Sequence, residues 1–228
     1  MSNPVLYKLV ASPPACSVMM LADLLGVALD CREVDWRQME HKSPGYLKMN
    51  PMGTIPTLKD GDIVVSDSHA IMKYLLEKYG GQLREDLYPS DVRKRAAIDE
   101  RLFFNAGVFF IRLKAVALPS LLHGLEGPTA QHLSDIDAAY AMVEAYLRND
   151  EFVADGQLTL ADLAVGTTAA FMQPIMRLDA EKYPRTADWL KRLSLHTSFK
   201  KFSEPGVGLL DKSLNVFWEL NKNKTTKL

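Results

Sequence analysis

Apolar and polar positions follow two grammars along the chain. Up to residue 81, short apolar runs of strand length alternate with stretches of helical spacing; after residue 90 the apolar positions recur only at helical spacing. Residues 5–10 form a strand-length run, and Val18, Met19, Leu21, Ala22 and Leu25 begin a helical pattern. Between them lie Ser12, Pro13 and Pro14. Proline suits the first helical turn because its missing N–H would be unpaired there, so a helix starting at Pro13 or Pro14 places Ser12 at its N-cap. Residues 27–34 predict a second strand, completing a strand–helix–strand unit that favours parallel pairing. Residues 56–59, a turn at Asp60-Gly61 and residues 62–65 predict a hairpin. A helix over 67–79 follows, with Ile71, Tyr74 and Leu75 on one face and Gly80-Gly81 as its stop. The order βαβ–ββα predicts a four-stranded mixed sheet with helices packed on it.

In the second half, Ile98, Leu102, Phe109 and Leu113 line one long helix, and Leu133, Ile136, Tyr140, Val143 and Leu147 line another, an expected antiparallel pair. Thr159 with Asp162 three residues on is a capping box built with the shorter acid. Further helices are expected at about 181–195 and 205–220. The fold class is therefore α/β followed by all-α: a domain over 1–81, a linker over 82–90 and a helical bundle over 91–228. Neither repeats nor low-complexity blocks interrupt it.

The 228 residues, 47% of them apolar, suffice for one large core or two smaller ones. A net charge of -1 offers no field for nucleic acid or an anionic membrane. The basic segment 221–227 reads as a solvated end. Two cysteines, Cys16 and Cys31, are too few for a disulfide framework, and the N-terminus carries no signal-peptide pattern, so a reducing cytoplasmic setting is expected. No run of about 18 apolar residues is apparent for crossing a bilayer. His41, His69, His123 and His196 lack ligand spacing, so no metal is expected.

Five segments together resemble the cytosolic glutathione transferases, over nearly the whole chain: Ser12-Pro13-Pro14, residues 46–51, residues 54–58, residues 67–71 and residues 158–163. They look like the insect delta/epsilon branch, epsilon more than delta. The resemblance implies a thioredoxin-like N-terminal domain, a helical C-terminal domain forming a hydrophobic pocket, a homodimer, and glutathione as co-substrate. Read alone, Ser12 is an N-cap. Beside a glutathione thiol it acquires a chemical role, since a thiol with pKa near 8.5 is mostly protonated at neutral pH. Each unit of depression amounts to about 1.4 kcal/mol of preference for the thiolate, and a hydroxyl donor with a helix N-terminus can supply one or two such units. Ser12 is the implied catalytic residue.

For glutathione itself the resemblance implies His41, Gly53, Thr54, Ile55, Pro56, Asp67, Ser68 and His69. A cis Ile55-Pro56 bond would turn the Ile55 backbone toward the tripeptide, and the helix start at Asp67-Ser68 would receive the γ-glutamyl end. For the second, hydrophobic substrate it implies a pocket of Pro14, Phe110, Leu113, Ala117 and Phe217, with Arg112 or Lys114 nearby. Halide elimination and peroxide reduction are implied side activities. The chain departs from the pattern in three places. Met52-Gly53 stands where relatives carry Gln-His, Cys16 stands where they carry Arg, and Asp67 is one methylene shorter than their Glu. Cys16 as a redox nucleophile and Tyr7 as the thiolate partner are rival assignments, and a non-catalytic ligand carrier or a biosynthetic enzyme acting on a steroid-like molecule are rival functions.

Overall fold

The computed structural model describes residues 3–225. Strand β1 (Val5–Lys8), helix α1 (Pro13–Leu24) and strand β2 (Asp30–Glu33) form the expected parallel unit, with Leu6 opposite Cys31. Strands β3 (Thr57–Asp60) and β4 (Ile63–Ser66) form the hairpin, and the sheet order is β2-β1-β3-β4 with β3 antiparallel to both neighbours. Leu6 and Leu58 face each other across β1 and β3 and are both fully buried, so this pair seats the sheet on the helices. The turn lies one residue later than its sequence suggests. Asp60 pairs with Ile63, and Gly61 occupies the first turn position at φ 64. Asp60 is held in the strand because its carboxylate accepts Tyr74 and Tyr79 hydroxyls and the Lys78 ammonium from helix α3 (Ser68–Tyr79).

Two short helices were not legible in the periodicity. Helix α2 (Pro44–Met49) opens with Ser43, whose hydroxyl accepts the Tyr46 N–H, and α4 (Leu83–Leu87) lies inside the expected linker. Elements of six and five residues span less than two turns, too little to display a helical period.

Helix α5 (Val92–Phe104), a π-helical turn (Asn105–Phe109) and α6 (Phe110–Leu122) run on as one 31-residue rod. An 18-residue stretch within it has a mean hydropathy of 1.5, so the rod is long and apolar enough to cross a membrane, which corrects the expectation that no such stretch exists. Ile98, Leu102, Phe109, Leu113 and Val116 instead pack into the protein core. Helix α7 (Ala130–Tyr146) runs antiparallel to it, clamped by aromatic contacts from Phe104 to Tyr146 and from Phe109 to Tyr140 at ring separations of 5.2 and 5.7 Å.

Helix α8 (Leu160–Met172) is buried along nearly its whole length and packs on α1 and α5. Its start is specified as expected. The fully buried Asp162 carboxylate accepts the Thr159 N–H and hydroxyl, the Val153 N–H and the Trp189 indole N–H from helix α9 (Pro184–Ser194), all at 2.9 Å. Burial pushes the Asp162 pKa up, while those four donors pull it back.

Helix α10 (Thr197–Thr225) begins eight residues before the expected start and passes straight through Pro205. Phe199 and Ser203 in that first stretch are buried, and their packing offsets the hydrogen bond that an internal proline removes. The basic segment is not simply solvated either: Asn221 is buried and donates to the carbonyls of Ser120 and Leu125, whereas Thr226 and Lys227 lie outside the described residues.

Candidate active site

Ser12 lies at the N-cap of α1 with an extended backbone, and it is 8% exposed. Its Oγ accepts the Ala15 N–H at 3.4 Å, a weak bond, while its carbonyl takes the Cys16 N–H at 2.9 Å. Pro13 and Pro14 carry no N–H. The first two backbone donors a helix would normally aim outward are therefore missing, and the next two are turned onto Ser12 itself. What this end of α1 presents to an anion is its dipole together with one loosely held hydroxyl. The turn leading to Ser12 is fixed from the sheet side: Glu33 accepts the Val10 N–H at 3.1 Å and pairs with Lys8 at 2.5 Å.

The loop ahead of β3 is held from beneath by groups the sequence reading did not single out for this task. The Tyr46 hydroxyl and the Asn50 amide each lie 2.9 Å from both the Thr54 carbonyl and the Thr57 hydroxyl. Asn50 and Thr57 are fully buried, so no water competes for these bonds. The Ile55-Pro56 bond is cis, and Ile55 lies outside the strand ladder beside a buried Pro56. The signal was present in residues 46–51, whose polar Tyr and Asn recur among apolar neighbours.

Gly53 has φ 56, and a Cβ there would lie 2.8 Å from the His41 carbonyl and from Lys42 Nζ, and 2.9 Å from Leu47. Lys42 donates to the Met52 carbonyl at 3.1 Å. The Met52-Gly53 departure is thus built into the loop, because a side chain at position 53 would have to displace the His41–Lys42 turn. His41 is partly buried there, its Nδ1 without a partner among the described residues; burial, with the Lys42 charge, lowers its pKa.

Asp67 caps α3 from φ 76 and ψ 124, a conformation rare for a residue with a Cβ. Its Oδ1 accepts the N–H groups of His69 and Ala70 at 2.9 and 3.2 Å, and Ser68 follows as a buried first helical residue. Backbone strain of this kind clusters at active sites and ligand clamps. His69 reaches the other domain. Its Nε2 lies 3.2 Å from the Asn105 amide in the π-helical turn, and burial lowers its pKa, keeping the ring neutral near pH 7.

Both rival residues, Cys16 and Tyr7, have packing or hydrogen-bonding roles here. Cys16 is fully buried, its S–H donates to the Phe202 carbonyl at 3.1 Å, and burial pushes the thiol pKa up to about 12. A thiol so protonated is inert. Tyr7 packs edge-on against Tyr46 at 5.9 Å.

Among the pocket candidates, Leu113 and Ala117 sit on the inner face of α6, with Pro14, Phe110 and Phe217 half-buried. Arg112 is occupied elsewhere: its guanidinium donates to the Asp135 carbonyl at 2.6 Å and the Val108 carbonyl at 2.9 Å, bracing α6 to α7. Lys114 is exposed. Among the described residues, no group of three or more His, Cys, Asp or Glu is arranged to hold a metal ion.

Comparison with known proteins gives a consistent result. The family model "Glutathione S-transferase, N-terminal domain" matches residues 6–83, and "Glutathione S-transferase, C-terminal domain" matches residues 104–192. Glutathione S-transferase 1 of Manduca sexta is 37% identical over 207 residues, covering 90% of this chain and 94% of the relative. A crystal structure of a glutathione transferase homolog from Drosophila mojavensis with bound glutathione superposes with a TM-score of 0.90 at 35% identity, over 95% of this chain and 98% of the other. An epsilon-class glutathione S-transferase from the housefly, Musca domestica, gives a TM-score of 0.91 at 31% identity, over 94% and 98% of the two chains.

Proposed function

The chain belongs to the glutathione S-transferase family, and from that premise we propose that it conjugates glutathione to hydrophobic electrophiles with Ser12 as the group that stabilises the thiolate. The observation that carries this reading is the Ser12 hydroxyl, nearly buried at the start of α1 and held by a single 3.4 Å bond. A cysteinyl thiolate placed over it receives an O–H donor whose existing commitment is weak, in the field of the α1 dipole. Ionisation of the thiol is then favoured near neutral pH, and the thiolate attacks the electrophile held on the α6 side.

Each further residue has a part in this reading. The Ile55 backbone pairs with the cysteinyl residue of the tripeptide, with Gly53, Thr54 and Pro56 shaping that loop. The γ-glutamyl carboxylate meets the start of α3 at Ser68 and His69, and Asp67 Oδ2, which its capping bonds leave over, faces the ammonium. His41 takes the glycyl end. Pro14, Phe110, Leu113, Ala117 and Phe217 form the apolar wall, while Arg112 stiffens it and Lys114 borders it. The glutathione half spans 1–81, the linker 82–90 and the electrophile half 91–228. The protein works in the cytoplasm as a homodimer, without inserting in a membrane; Phe103, 73% exposed, and Ile111 on the rod of α5 and α6 supply apolar surface for a second copy.

Calorimetric titration with glutathione, followed by initial rates with an aromatic electrophile, tests the assignment. Ser12→Ala is expected to retain glutathione binding while lowering the rate at pH 6.5 by about ten- to a hundredfold, because the thiol pKa rises by about one or two units. The loss shrinks as pH rises past the thiol pKa. Equal rates for both proteins across the pH range would refute the role of Ser12, and no binding at millimolar glutathione would favour a non-catalytic ligand carrier. Elution at monomer size at micromolar concentration would remove the dimer.

A further inference from the structure

The first half of α10 lies antiparallel to α1 and meets it through a polar contact at each turn. Asp23 accepts the Ser198 hydroxyl and the Lys201 ammonium, both at 2.6 Å. One turn back, the Ser203 hydroxyl contacts the Met20 sulfur at 3.6 Å. A further turn back, the Cys16 S–H reaches the Phe202 carbonyl at 3.1 Å, with the Val10 carbonyl 3.6 Å away. Beyond that, the α10 backbone comes close to the turn ahead of α1 at Gly206, where a Cβ would lie 2.4 Å from the Val10 carbonyl and 2.5 Å from the Phe171 ring. A glycine within a helix costs about 1 kcal/mol relative to alanine. Here the close approach requires it.

After Gly206 the same helix continues to the opposite wall. Trp218 donates to the Ser120 hydroxyl of α6 at 2.7 Å, and Asn221 donates to the Ser120 and Leu125 carbonyls at 3.0 and 2.9 Å. Helix α10 is therefore fastened at one end to the helix that Ser12 opens and at the other to the helix that carries Leu113 and Ala117. Phe217 lies in the span between them. Cys16 is the point where this strap meets the serine turn, since its N–H bonds the Ser12 carbonyl and its S–H bonds α10.

We propose that Cys16 and Gly206 set the register of α10 against the Ser12 turn, and through it the position of the Phe217 segment, so that they tune which electrophiles fit. They are positioning residues for the reaction. The inference about electrophiles rests on the function proposed above, whereas the register itself does not. The buried thiol stays protonated throughout the working pH range and is a permanent donor, so the contact does not switch with pH.

The test compares Cys16→Ala, which removes the donor, with Cys16→Ser, which keeps one, at saturating glutathione and with two aryl halides sharing a reactive centre but differing in apolar bulk. Cys16→Ala is expected to change the ratio of their KM values about three- to tenfold, the range expected for one lost buried hydrogen bond. The KM for glutathione and the pH profile stay within twofold, and Cys16→Ser returns the ratio toward that of the unaltered protein. An unchanged ratio, a uniform loss across both substrates, or a serine variant that behaves like the alanine one overturns the proposal. Hydrogen exchange over residues 206–221 needs no substrate and reads the register separately. Faster exchange in Cys16→Ala with recovery in Cys16→Ser supports it even for a protein without turnover, and equal exchange in all three overturns it.

Discussion

At the scale of single residues, the candidate site gathers one loosely bonded hydroxyl and two backbones at positive φ. Ser12 caps its helix with one long bond because two prolines remove the donors it would otherwise satisfy. Asp67 occupies a positive φ, and Gly53 occupies one because nothing larger fits against the His41 carbonyl. Gly53→Ala should therefore cost about 1–3 kcal/mol through left-handed strain plus the close contact, read as a drop in Tm, and should weaken glutathione binding by disturbing the His41 turn. A variant as stable as the parent would show that the loop accommodates a side chain freely. Ser12 and Asp67 were legible in the sequence as caps at strand-to-helix turns, and their parts toward glutathione only through the family resemblance. That Gly53 is sterically obligatory was not, since its crowding comes from residues six to twelve positions away.

At the scale of elements, the capping pattern at Thr159 was legible three residues apart, but its weight was not. Asp162 gathers Thr159 locally and also Val153 and Trp189, joining the loop before α8 to α9. Asp162→Ala leaves two backbone N–H groups and an indole N–H unpaired in the core. Destabilisation by about 3–5 kcal/mol is expected in denaturant unfolding, against about 1 kcal/mol for Thr159→Ala. Similar small losses for both would mean that water replaces the carboxylate. The start of α10 shows the opposite relation. Pro205 carries the strongest local start signal in its region, yet Phe199 and Ser203 are buried six and two residues before it, and the helix runs on through it.

Over the whole molecule, carboxylates tie distant elements together. Asp23 is held below the usual carboxylate range by the Lys201 and Ser198 donors, and Asp137 by the Lys182 ammonium. A carboxyl whose pKa is depressed on folding contributes stability that is present above its unfolded value near 3.8 and lost as pH falls through the folded value. Thermal unfolding should therefore show Tm falling below about pH 4, with a shallower acid limb in Asp23→Asn. An identical acid limb in the variant would show that the α1–α10 tether does not contribute to acid stability. Both tethers are partly exposed, so each contribution is small and screened by salt.

The order of the strands and longer helices, the two-part architecture and the cap at Ser12 were legible in residue spacing, and the family in a resemblance spread over five segments of the chain. The elements and the cap depend on neighbours within a few positions, where spacing, proline and small polar residues act directly on the backbone. Tertiary packing, by contrast, makes Cys16 a buried donor, sets Arg112 to brace two helices, places the hairpin turn at Gly61-Asp62 and carries α10 across both halves of the protein. Each of those outcomes depends on a partner far along the chain, such as Phe202 for Cys16 or Asp135 for Arg112. A carbonyl brought within 3 Å or so by folding leaves no periodic trace among the residues it will meet.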